Sequence, residues 1–82
     1  MNTQKAKKLS TPRGELWYLG CTLHREDGPA ITFVSGTQLW YQNGRKHRLD
    51  GPSSIFSDGT KAWHIEGVEY SEEEFNKMIM EA

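Results

Sequence analysis

Histidine, arginine and aspartate stand close together twice in this 82-residue sequence, as "HREDGPA" at residues 24–30 and "HRLDGPS" at residues 47–53. Imidazole, guanidinium and carboxylate groups at this spacing could bind an anion or transfer protons. A catalytic group is needed once per site, however, whereas a group that holds stacked units together is needed once per unit. The duplication therefore favours a structural role, in which Asp caps a turn and Arg pairs with a carboxylate. The alternative is an exposed row that binds a phosphate or an acidic partner, and its residues are His24, Arg25, His47 and Arg48.

The duplicated set is part of a repeat of 23 residues. Trp17, Trp40 and Trp63 are separated by this step, and so are the Asp-Gly-Pro triplets at 27–29 and 50–52. Self-similarity at a fixed period of this length is typical of repeat architectures, in which each unit packs on the next.

Each unit contains two β-prone segments bounded by turn signals. "AITFV" at 30–34 is followed by Ser-Gly, whereas "QLWYQ" at 38–42 and "KAWHI" at 61–65 are followed by Asn-Gly and Glu-Gly. Such dipeptides between short strands are hairpin signals, and the proline of each Asp-Gly-Pro is tolerated at the start of a strand. The sequence therefore predicts a mainly all-β fold, an antiparallel β-meander of stacked hairpins.

The C-terminal segment "SEEEFNKMIMEA" at 71–82 has a different pattern. Ser71 and Glu74 form a capping-box signature, and apolar residues from Phe75 onward recur at helical spacing on one face. We predict a helix from Ser71 to about Met80 that caps the last hairpin; its apolar face comprises Phe75, Met78, Ile79 and Ala82. The predicted organisation is a flexible N-terminal arm at 1–12, a β-repeat domain at 13–70 and a capping helix at 71–82.

The pattern W-Y-x-x-G-x-x-H-R-x-D-G-P-A resembles a variant of the MORN-type repeat that is common in small phage and large-virus proteins. The resemblance covers about residues 13–70, and departs from the pattern at Cys21, Ser53 and Tyr70. It implies an interaction scaffold, and in particular a small inhibitor or adaptor that engages a host protein, including one of the host's antiviral defences. Some MORN proteins also suggest an alternative, a membrane-surface or phosphoinositide-binding repeat.

Strand alternation gives the predicted sheet two unlike faces. The tryptophans share one face, with Leu19 and Ile65 beside two of them, and we expect this face to form the core. A single-layer meander of this length cannot bury its other face as well, so an exposed aromatic patch there predicts a contact surface. The preferred partner-binding residues on this face are Tyr18, Leu39, Tyr41 and His64. The competing interpretation is an ordinary solvated antiparallel face.

Composition and motifs argue against other functions. The formal net charge is -1, so no basic groove for nucleic acid is expected. Cys21 is the only cysteine and the three histidines have no zinc-ligand spacing, so we expect no metal, no cofactor and no enzymatic activity. A lone cysteine is typical of a reducing compartment, and a cytoplasmic protein is expected.

Two further alternatives are a sponge for a nucleotide signal and a homo-oligomeric structural protein, because unpaired outer strands allow a homodimer.

Overall fold

The computed structural model describes residues 5–81. Its elements are β1 (Lys7–Thr11), β2 (Gly14–Leu19), β3 (Thr22–Leu23), β4 (Ile31–Phe33), β5 (Gln38–Leu39), β6 (Tyr41–Gln42), β7 (Arg45–Lys46), β8 (Ser54–Ile55), β9 (Lys61–Ile65), β10 (Val68–Tyr70) and α1 (Glu72–Glu81).

The strands form an antiparallel meander. Their order in the main sheet is β1-β2-β4-β5-β8-β9-β10, with β3 paired to β2, while β6 and β7 form a separate hairpin. The predicted fold class is confirmed: the chain is mainly antiparallel β with one C-terminal helix in the described residues. The predicted strand at 38–42 is interrupted at Trp40, which separates β5 from β6.

The Asn-Gly and Glu-Gly dipeptides form the tight turns that the sequence predicts. Asn43 and Gly44 have φ values of 55° and 78°, and Glu66 and Gly67 have 49° and 86°. Two successive residues with positive φ define the type I′ turn, whose twist matches the twist of the flanking strands. Glu66 adopts this left-handed conformation although it has a side chain, which shows how strongly the hairpin geometry constrains the position.

The repeat is visible in the backbone hydrogen bonds as well as in the sequence. The N–H of Trp17 donates to the carbonyl of Ala30 and that of Trp40 to the carbonyl of Ser53, both at 2.8 Å. Successive units are joined in the same way, because Gly44 N–H donates to Leu23 at 2.9 Å and the Gly67 N–H to Lys46 at 2.8 Å. The 23-residue step therefore relates contacts as well as residue types.

The predicted flexible arm at 1–12 is wrong for residues 7–11, which form β1. This strand pairs along its whole length with β2, from Lys7 opposite Tyr18 to Thr11 opposite Gly14. The two residues between the strands are enough for a hairpin turn. Segment 7–11 has no strong alternation of apolar and polar residues, and backbone hydrogen bonds to β2 hold it in the sheet. Residues 1–4 of the predicted arm lie outside the described residues.

The C-terminal helix begins at the predicted capping box. The N–H of Glu74 donates to Ser71 Oγ at 3.1 Å, and the Ser71 N–H donates to Glu74 Oε1 at 3.0 Å. Phe75 is buried, with 3% of its surface exposed, and lines a cleft together with Trp63. The other described members of the predicted apolar face, Met78 and Ile79, remain exposed, whereas Ala82 lies outside the described residues.

The enclosed core is very small. Among residues 5–81, the buried apolar residues are Ala30, Ile31 and Phe75. The three tryptophans are half-buried, so the expectation of an enclosed tryptophan core is only partly met. This is a thin structure, with principal extents of 39 × 34 × 16 Å, and most of its large side chains remain in contact with solvent.

Candidate functional site

Arg25 is held by three groups of its own unit. Its Nε donates to Asp27 Oδ1 at 2.8 Å and its Nη1 to the Pro29 carbonyl at 3.3 Å. The guanidinium carbon lies 4.2 Å from the centre of the Trp17 ring, a cation–π distance. The Asp-Gly-Pro turn therefore positions both acceptors of the arginine, which in turn shields one tryptophan.

Arg48 repeats this arrangement one unit later. Its Nε lies 2.8 Å from Asp50 Oδ1, its Nη1 lies 3.0 Å from the Pro52 carbonyl, and its guanidinium carbon lies 4.0 Å from the Trp40 ring centre. The hydrogen bond from Arg48 lowers the pKa of the Asp50 carboxyl below its ordinary value. A Cβ atom at Gly51 would lie 3.0 Å from the guanidinium carbon, so this glycine allows the arginine its close approach.

The third tryptophan has no such arginine, because the next step of 23 residues from Arg48 falls on Ser71, the residue before α1. Trp63 instead lines a cleft of about 510 Å³ with Phe75 and Ile79 of the helix. The helix thus begins where the repeat would place the arginine. This position explains how α1 ends the array.

His24 and His47 connect each unit to the next. The Nδ1 atom of His24 accepts the backbone N–H of Asn43, and Nδ1 of His47 accepts that of Glu66, both at 2.9 Å. The donors are the left-handed residues of the hairpin turns. A histidine that accepts at Nδ1 must be neutral, with its proton on Nε2. The duplication predicted a structural role for these histidines but not their partners in the next unit.

This geometry supports the structural interpretation of the His-Arg-Asp sets over the anion-binding alternative. Both arginines already donate two hydrogen bonds within the chain and stack on tryptophan. His24 has only 6% of its surface exposed, and its Nε2 lies 3.2 Å from Glu26 Oε2. An added phosphate could use only the remaining guanidinium N–H groups, beside the carboxylates of Asp27 and Asp50.

Ser53 and His64 form a buried polar pair. Ser53 Oγ lies 2.7 Å from His64 Nδ1, and these residues are 0% and 9% exposed. Burial lowers the pKa of His64, and the nearby Lys46 lowers it further, while Glu69 acts in the opposite direction. A serine beside a histidine could serve as nucleophile and base, but the enclosed Oγ leaves no room for a substrate. The prediction of His64 as an exposed contact residue is wrong, because its side chain is buried against Ser53.

The face opposite the tryptophans carries a continuous row of paired residues. Residues directly opposite each other in antiparallel strands share a face, so the register defines the row without ambiguity. From β1 to β9 it runs Leu9, Leu16, Ile31, Leu39, Ser54 and Ala62. Leu9 is 53% exposed and Leu16, Leu39 and Ala62 are half-buried, whereas Ile31 and Ser54 are buried, so the row is partly open to solvent.

Two of the predicted contact residues flank this row. Tyr18 lies two residues after Leu16 in β2, and Tyr41 holds the same place one repeat later; both are half-buried. We call the row and these two tyrosines the apolar face. Leu9 is absent from the predicted contact face because residues 1–12 were predicted to form a flexible arm. Segment 7–11 shows no strong alternation of apolar and polar residues, so no sequence signal identified it as a strand.

Within residues 5–81, no group of three His, Cys, Asp or Glu side chains is placed to hold a metal ion. The helix α1 has ten residues and is too short and too polar to cross a membrane, and the described chain contains no other candidate for such a span. Comparison of the chain with family models, curated proteins and solved structures gave no match. The resemblance to MORN-type repeats stays a prediction.

Proposed function

We propose that this chain is a non-enzymatic protein-binding module that contacts its partner through the apolar face. The observation that carries the proposal is the paired row from Leu9 to Ala62 on one sheet, in which Leu9 is exposed and Leu16 and Leu39 are only half-buried. Sheets usually bury one face against a second layer, and exposed contiguous apolar patches mark interaction sites.

The residue types on this face suit a contact with another protein. Tyr18 and Tyr41 combine a large apolar ring with a hydroxyl group, and tyrosine is enriched in protein interfaces. Leu16 and Leu39, each two residues before one of the tyrosines, are half-buried and supply apolar area. The tryptophan face is less suited to this role, because Arg25 and Arg48 already lie over two of its rings.

Two kinds of partner suit the apolar face. A face of this kind fits a different protein, as the resemblance to phage-type inhibitors and adaptors suggests, or a second copy of the chain. The free and exposed Cys21 supports a reducing compartment, and we propose the cytoplasm as the place of action.

The experiment compares immobilised wild-type chain with a Tyr41→Ala variant and a matched Tyr70→Ala control. Tyr70 is also half-buried, but it is paired with Trp63 and therefore lies on the other face. Each chain is exposed separately to purified, untagged copies of itself and to lysate of the cells that make it, and bound proteins are identified by mass spectrometry.

We expect a protein that binds the wild type and the Tyr70→Ala variant but not the Tyr41→Ala variant. Thermal melts of all three chains check that the variants remain folded. Binding that is equally strong with folded Tyr41→Ala would refute the proposed face, and no binding to any of the three would refute the proposed function.

A further inference from the structure

We propose that the partner at the apolar face is a second copy of this chain, packed face to face about a two-fold axis parallel to the strands. The inference rests on the proposed function, because it names the occupant of the same face. It would close the single sheet into a two-layer sandwich with its apolar rows inside.

The surface area of the chain fits this arrangement. The accessible surface is 5832 Å², whereas a compact monomer of 9.4 kDa exposes about 5,000 Å². The chain thus exposes about 800 Å² more than a compact monomer of its mass, as a thin single sheet does. The radius of gyration is 13.3 Å, above the roughly 12 Å expected for a compact domain of this length, so the chain is extended in the way that one layer of a sandwich would be.

The charges on the apolar face are complementary under this symmetry. Lys7 lies opposite Tyr18 at the β1 edge, and Glu69 lies opposite His64 at the β10 edge. Both are exposed, and each shares the face of the residue with which it is paired. A two-fold axis parallel to the strands brings the β1 edge of one copy over the β10 edge of the other. Lys7 of each copy then faces Glu69 of the other copy, so the dimer contains two such pairs.

Lys46 is the third charged residue in a strand on this face. It lies opposite Tyr41 in the hairpin of β6 and β7, nearer the middle of the array. Its long methylene stem can cover apolar surface while the ammonium group reaches solvent at the rim. The other lysines and glutamates of the paired strands belong to the opposite face; these include Lys8, which is paired with Trp17, and Lys61, which is paired with Ile55.

The geometry also distinguishes this dimer from edge-to-edge association. Joining β1 of one copy to β10 of the next would be head to tail, and such a contact leaves a free edge at each end and continues to grow. A face-to-face pair is closed at two copies. A pair joined β1 to β1 would also close at two copies, but it would leave Leu16 and Leu39 half-buried, whereas the face-to-face pair covers them.

Sedimentation equilibrium of the full-length chain over a broad micromolar range tests the proposal, with Lys7→Glu and Glu69→Lys variants. Both residues are exposed, so the substitutions should leave the fold intact. We expect the wild type to reach a dimer and no larger species. Each single variant places like charges together twice and should weaken the dimer at least about tenfold.

An equimolar mixture of the two variants is the decisive sample. One chain then carries glutamates at 7 and 69 and the other carries lysines at both, so the mixed dimer should regain approximately wild-type affinity. Lys61→Glu, the same charge reversal on the opposite face, is the matched control and should leave the dimer unchanged. Tyr41→Ala should weaken the dimer without altering the charge pairs.

Three results would overturn the proposal: a wild type that stays monomeric, a variant mixture that fails to associate, or species that grow beyond two copies. A monomeric chain that still captures a different protein, and loses it on Tyr41→Ala substitution, would remove the homodimer and leave the proposed function standing. Loss of both self-association and capture would remove the two together.

Discussion

Replacing Ser53 by alanine tests the assignment of the buried Ser–His pair to stability. The substitution deletes one oxygen, and with it the 2.7 Å hydrogen bond with His64 Nδ1 and the 3.3 Å hydrogen bond that the hydroxyl donates to the Ala62 carbonyl. Because His64 is 9% exposed, water cannot readily replace the lost partner. A buried polar group left unpaired costs about 1–3 kcal/mol, so we expect the free energy of unfolding to fall by about that amount.

The preceding repeat supplies a way to separate the hydrogen bond from the loss of the hydroxyl group itself. One step of 23 residues earlier, the positions of Ser53 and His64 are occupied by Ala30 and Tyr41. The double substitution Ser53→Ala/His64→Tyr therefore copies a pair that the fold already accommodates. We expect it to recover most of the stability lost in the single variant, with a coupling energy of about 1–2 kcal/mol.

Ser54→Ala is the matched control, because Ser54 is also fully buried but its Oγ has no hydrogen-bond partner. This variant should be as stable as the wild type or more stable. Urea unfolding followed by tryptophan fluorescence at neutral pH measures all four chains, and in thermal melts each 1 kcal/mol should appear as a shift of roughly 4–8 °C. Equal losses for Ser53→Ala and Ser54→Ala, or a double variant no more stable than the single one, would refute the reasoning.

Two further predictions concern the arginine stack and pH. Arg48→Lys should lower the free energy of unfolding by about 1–2 kcal/mol, because an ammonium group cannot reproduce both the 2.8 Å contact to Asp50 and the stacking on Trp40; urea unfolding measures this, and an unchanged midpoint would contradict it. Because burial lowers the pKa of His64 in the folded chain, the unfolded chain binds a proton at this histidine at a higher pH than the folded chain does. Stability should therefore fall as the pH drops from about 6.5 toward the lowered pKa. It should fall again below about 4, where Asp27 and Asp50, whose pKa values are lowered by their arginine partners, become protonated. Thermal melts across this range check the profile, and a His64→Tyr chain that shows the same loss near pH 6 would assign it to another group.

Much of the fold could be predicted because its signals are local. The turn at Asn43–Gly44 needs only two residues that tolerate positive φ, and the start of α1 needs only Ser71 and Glu74 in the same turn of chain. The repetition of the His-Arg-Asp sets likewise indicated a structural role, and the geometry supports that role. The pairing of Arg25 with Asp27 is also local, since the two residues are two positions apart.

The contacts between units could not be predicted from the sequence. His24 accepts a hydrogen bond from Asn43, 19 residues further along, because folding brings that N–H to its Nδ1. His64 looked like an exposed contact residue by strand alternation, yet it is enclosed with Ser53. Alternation gives the side of the sheet on which a residue lies but not what covers it.

The sequence by itself determined the period, the turns, the capping helix and the two unlike faces, because each depends on residues close together in the chain or on strict alternation. Only the tertiary structure decided that residues 7–11 extend the sheet, that two of the half-buried tryptophans lie under arginines, and that the row from Leu9 to Ala62 is exposed at Leu9 but buried at Ile31 and Ser54. These outcomes depend on which segments meet in the folded sheet. The partners of a strand and the exposure of a side chain are therefore set only when these segments pack together.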